Sequence, residues 1–122
     1  MPIILIAEDE PKIVAFLEKG LQRSGFDTEV SVDGNTALQK ATQEPFDLMI
    51  LDLGLPHNDG LEVLRSLREC ESALPVLVIT ARSLGRQDLQ QLRAFGAEVL
   101  HKPFRMKDLM QKVKTTLDKS PE

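Results

Sequence analysis

Apolar residues follow two alternating rhythms along this chain. Short, nearly continuous apolar runs at Ile3 to Ala7, Leu48 to Leu51 and Val76 to Ile79 predict strands buried on both faces. A less hydrophobic run, Thr28 to Val32, alternates and predicts an edge strand. Between these runs apolar residues recur at helical spacing: Ile13, Phe16, Leu17 and Leu21; Leu38 and Ala41; Leu61, Leu64 and Leu67; Leu89 and Leu92; Met106, Leu109, Met110, Val113 and Leu117. Pro11 suits the first turn of the first helix, Asp59 suits the cap of the third ahead of Gly60, and Gly25 and Gly96 suit the ends of the first and fourth. With a last strand ending at Lys102-Pro103, the order is βαβαβαβαβα. Parallel strands need crossover connections, and right-handed crossovers make this an α/β doubly wound five-stranded parallel sheet with helices on two faces. In such sheets the ligand site lies at the carboxyl ends of the strands.

Composition narrows the function. At 122 residues the chain has the size of one domain, and it can bury about two-thirds of its unfolded surface without a disulfide or structural metal. A single cysteine, Cys70, and a first apolar run too short for a signal core read as cytosolic (cytoplasmic), and no run approaches the roughly 20 apolar residues of a membrane span. The net charge of −4, with scattered basic residues and neither Trp nor Tyr, gives no footprint for direct nucleic acid binding. Residues 1–118 read as the domain and Lys119 to Glu122 as a tail or truncated linker.

The strand ends carry the chemistry. The first strand runs into Glu8-Asp9-Glu10, the third ends at Asp52, the fourth at Thr80-Ala81 and the fifth at Lys102-Pro103. Carboxylates gathered in one crevice repel unless a cation neutralises them, and hard oxygen ligands with room for phosphate describe Mg2+ better than zinc or calcium. Asp52 is then placed as a carboxylate nucleophile toward a phosphoryl group, with Lys102 and the Thr80 hydroxyl left to bind its oxygens.

Taken together, Ala7-Glu8-Asp9-Glu10, Leu51 to Gly60, Val78-Ile79-Thr80-Ala81 and Lys102-Pro103-Phe104 resemble the receiver domain of two-component response regulators over essentially the whole chain. The resemblance implies a flavodoxin-like sheet in the order 2-1-3-4-5. It implies that Asp52 accepts phosphate from a histidine kinase or phosphotransfer protein, that Asp9, Asp52 and the Gly54 carbonyl ligate Mg2+ with Glu8 helping through a water, and that Thr80 is the switch hydroxyl and Lys102 the phosphate-pairing lysine. It further implies a phosphorylation-dependent switch rather than a metabolic enzyme. The face made by the fourth helix, fifth strand and fifth helix would control an output domain or effector, and would also support a homodimer, with Asp88, Glu98 and Lys112 as pairing charges.

Other residues take plainer readings. Glu10, Asp27, Asp33 and Asp47 read as solvated surface, His57 and His101 as surface histidines, Cys70 as an incidental thiol, and Met106 and Met110 as core. The sequence departs from the family at Val99, where an aromatic rotor usually stands three positions before the lysine, and the approach from Gly96 to Lys102 is one residue short. Those departures motivate an alternative: a phosphorylation-independent receiver-like interaction module. A flavin binder is disfavoured by acid where a phosphate-cradling loop is needed, and an aspartyl phosphatase by Gly54 where its second acid would stand. The fourth helix, with Gly85 near its start and a sparse apolar stripe, is expected to be the least stable.

Overall fold

The apolar runs form the strands expected of them. The computed structural model describes residues 2–55 and 59–118, so His57 and the tail from Lys119 to Glu122 lie outside the described residues. β1 (Ile3–Ala7), β2 (Asp27–Ser31), β3 (Leu48–Asp52), β4 (Val76–Thr80) and β5 (Glu98–His101) pair in parallel in the order β2-β1-β3-β4-β5. The three apolar strands occupy the centre and the two polar ones the edges, as burial on two faces rather than one requires.

Alternation within the central strands divides the core. Leu5, Ala7, Met49, Leu51, Val76 and Val78 face α2 (Gly34–Gln43), α3 (Gly60–Glu69) and α4 (Arg86–Ala94), packing on Ala37, Ala41, Val63, Leu64, Leu67 and Leu92. Ile4, Ile6, Ile50, Leu77 and Ile79 face α1 (Pro11–Arg23) and α5 (Met106–Asp118), packing on Leu17, Leu21, Leu109 and Val113.

Local signals set the helix ends. Pro11 opens α1, and the Asp59 carboxylate accepts from the Leu61 N–H at 3.0 Å to start α3. Gly25 and Gly96, at φ 94° and 73°, reverse the chain after α1 and α4.

Three expectations are corrected. β2 runs Asp27–Ser31, not Thr28 to Val32, because its register on β1 ends at Ser31 opposite Ala7; Val32 lies beyond, 56% exposed. Asp33 is a cap rather than free surface, accepting from the Thr36 N–H at 2.8 Å at the start of α2. Asp47 accepts from the Ile3 N–H at 2.8 Å and tethers the start of β1. The sparse apolar stripe expected of α4 is observed, with only Leu92 buried and Leu89 exposed.

Candidate functional site

All the residues singled out at the strand ends converge on one rim. β1 delivers Glu8, wholly buried, with exposed Asp9 following it; β3 ends in buried Asp52; β4 ends in buried Thr80; and Lys102 follows β5, its backbone N–H held by the Thr80 carbonyl at 2.8 Å. A carboxylate oxygen from each of Glu8, Asp9 and Asp52 lies within 4.8 Å of the others. Three hard, anionic donors at that spacing fit a magnesium ion with ligand room to spare, and a lysine against two of them only partly offsets their mutual repulsion.

That lysine is Lys102. Its Nζ lies 2.9 Å from Glu8 Oε1 and 3.5 Å from Asp52 Oδ1. The second Glu8 oxygen accepts the Asp9 and Glu10 N–H groups at 3.0 and 3.2 Å, which fixes the turn leaving β1. Burial pushes the Glu8 carboxyl above its usual value, with the negative charge of Asp52 adding to it, and the Lys102 and Glu10 hydrogen bonds recover only part of that rise. Burial alone would lower the Lys102 ammonium, but its bond to Glu8 and the charges of Asp52 and Glu8 prevail and raise it. The lysine is therefore firmly protonated where a phosphoryl anion would need it.

The Gly54 N–H donates to Asp52 Oδ1 at 3.1 Å and so aims that oxygen. Thr80 Oγ1 accepts from the Arg82 N–H at 2.9 Å. Lys102-Pro103 is a cis peptide, a detail absent from the sequence reading. Beside the rim a cleft of about 490 Å³ is lined by Ile13, Phe16, Ala81, Pro103 and Phe104, with Phe16 and Phe104 in tilted contact at 6.1 Å.

Residues outside the rim take other roles. His101 is exposed on β5 and Cys70 is exposed at the end of α3. Val99 is half-buried against the α2–α4 side of the core. Lys112 pairs with Glu98 of its own chain at 3.7 Å, and Asp88 accepts from the Gly85 N–H at 3.4 Å, so the charges expected across a dimer have partners within the chain. Sequence reasoning missed two arginines: Arg82, whose only signal is its place two residues after Thr80, and Arg68, which has none. Among the described residues no helix is long and apolar enough to cross a membrane.

The profile of the response regulator receiver domain matches residues 4–114. Transcriptional regulatory protein PrrA of Mycobacterium tuberculosis is 37% identical over 116 residues, covering 95% of this chain and 50% of that protein. A CheY-like response regulator receiver domain protein from Methanospirillum hungatei superposes with a TM-score of 0.90 at 25% identity, over 98% of this chain and 96% of that one. Response regulator protein TrrA from Thermotoga maritima, solved in complex with Mg2+-BeF, gives 0.84 at 34% identity, over 95% and 99%. The chain spans about half the length of the curated relatives it matches.

Proposed function

The chain belongs to the response regulator receiver domain family, and from that premise we propose that Asp52 is the phosphoacceptor of a two-component signalling switch. The observation that carries this reading is the convergence of the Glu8, Asp9 and Asp52 carboxylates within 4.8 Å, with the Lys102 ammonium between Glu8 and Asp52. Asp9, Asp52 and the Gly54 carbonyl would hold Mg2+ directly, with Glu8 behind them. When bound, that ion supplies positive charge against the phosphoryl oxygens.

An Asp52 oxygen forms a bond to phosphorus as the P–N bond of a kinase phosphohistidine breaks; the electron pair stays on the imidazole nitrogen, which then takes a proton. The Gly54 N–H holds the other Asp52 oxygen in place. Lys102 trades its contact with Asp52 for a phosphoryl oxygen, and Thr80 turns its hydroxyl toward another. Positioning and charge account for most of the catalysis in such a transfer. The new charge then biases a pre-existing equilibrium of the β4–α4 segment, and with it the α4-β5-α5 face. The curated relatives' names and doubled length support an output domain beyond this unit, controlled through that face.

Intact mass after incubation with Mg2+ and acetyl phosphate tests the reading. One phosphoryl adduct is expected, lost with a chelator and lost in Asp52→Asn. A folded wild-type protein that acquires no adduct overturns it in favour of a phosphorylation-independent module.

A further inference from the structure

Arg82 sits in the segment joining β4 to α4, and the chemistry above makes no use of its side chain. Its guanidinium reaches across to the segment that follows the neighbouring strand β3. Nη2 donates to the Leu53 carbonyl at 2.9 Å and lies 3.5 Å from Asp59 Oδ1. Its own backbone N–H donates to Thr80 Oγ1 at 2.9 Å. One residue thus holds the Thr80 hydroxyl with its main chain and grips the residue after Asp52 with its side chain.

The grip is anchored at both acceptors. Asp59 Oδ1 also receives the Leu61 N–H, which ties it to the first turn of α3, and the Leu53 N–H is bonded to the Ile79 carbonyl of β4 at 3.3 Å. Bringing Thr80 Oγ1 toward a phosphoryl group on Asp52 gives up the Arg82 N–H bond, and shifting the segment draws the guanidinium off Leu53 and Asp59. We propose that Arg82 is a positioning residue, a clasp that holds the β4–α4 segment and the Thr80 hydroxyl in the resting arrangement until phosphorylation releases it. The inference rests on the reading of Asp52 as phosphoacceptor and Thr80 as switch hydroxyl. The Arg82 and Asp59 side chains are 45% and 44% exposed. Such a pair with one charged hydrogen bond is worth a few-fold in an equilibrium, which suits a restraint meant to yield.

The test uses Arg82→Gln, Asp59→Asn and the double variant, with asparagine keeping the cap on α3. Phosphoryl uptake from acetyl phosphate with Mg2+ is timed by mass. The Thr80 methyl resonance is recorded without phosphodonor, against wild type at rest and wild type loaded with Mg2+ and beryllofluoride. A clasp predicts that each single variant takes up phosphate about threefold faster or more, that the double gains no more than either single, and that the Thr80 methyl moves toward its loaded position. If Arg82→Gln slows uptake while Asp59→Asn speeds it, Arg82 serves as a charge toward the phosphoryl group and the clasp is wrong. Unchanged rates and shifts, with wild type phosphorylated normally, reduce it to an idle surface pair. A wild type that takes up no phosphate overturns the phosphoacceptor reading and the clasp with it.

Discussion

Glu8 and Lys102 meet in a place where neither would choose to be charged alone. Glu8 is wholly buried, and burial raises its carboxyl above the ordinary value of 4.5 despite the lysine. A carboxyl that binds its proton more tightly when folded than when unfolded favours the folded state at low pH and loses that contribution as pH rises through its folded value. Removing the ammonium in Lys102→Met raises Glu8 further and widens that window upward from 4.5. In chelator, the variant is therefore expected to be destabilised at pH 8 by about 3 kcal/mol, with the deficit shrinking as pH falls toward 5; urea denaturation at several pH values checks it, and a constant deficit would show that packing alone was lost. Gly60 gives a second residue-scale case, since a Cβ there would lie 2.6 Å from Leu53 Cα and 3.0 Å from the Asp52 carbonyl oxygen. Gly60→Ala is expected to cost about 2 kcal/mol by overpacking against backbone. Gly20→Ala, which meets only the flexible end of Met106, should cost less, because the side chain can turn away and helix propensity favours alanine. Thermal melts of the two variants make the comparison.

α4 is held unevenly along its length. Its far end is pinned by Leu92 in the core and by Arg68, whose Nε donates to the Phe95 carbonyl at 2.8 Å while Nη1 serves the Ser72 and Leu74 carbonyls at 3.0 and 2.8 Å. Its near end has Gly85 as cap residue, exposed Leu89 and the Arg82 clasp. A helix fixed at one end and lightly held at the other would pivot about the fixed end, which lies away from Asp52. Arg68→Met strands three carbonyls and is expected to lower stability by about 2–3 kcal/mol. Hydrogen exchange should quicken from Leu92 to Ala97 while β1 and β3 stay protected. Arg68→Lys should recover only part of this, because a point charge does not span three acceptors as a planar fork does. Equal quickening across the sheet would instead mark Arg68 as a general support with no bearing on the pivot.

The central sheet and its acidic pole were legible in the sequence because both rest on side chains. Strands buried on two faces must be continuously apolar, and the right-handed crossovers then carry Glu8, Asp9, Asp52, Thr80 and Lys102 to one edge. Arg68 and Arg82 were not legible because their partners are mostly carbonyls, which every residue carries, and Asp33 and Asp47 because a cap or tether depends on where a neighbouring N–H ends up. At the scale of the whole domain, three carboxylates within 4.8 Å in a chain of net charge −4, with one lysine against two of them, keep an excess of negative charge that opposes folding until a further cation binds. A cation that binds the folded state alone stabilises it by mass action, about 2.7 kcal/mol at a hundred times its dissociation constant. Asp9 is exposed, so replacing it leaves packing intact and alters the charge. Asp9→Asn is expected to melt at a higher temperature than wild type in chelator, where it relieves repulsion, and at a lower one in millimolar Mg2+, where it forfeits the ion. The two melting curves should cross as Mg2+ is titrated. Parallel curves would mean that Asp9 contributes nothing to the site.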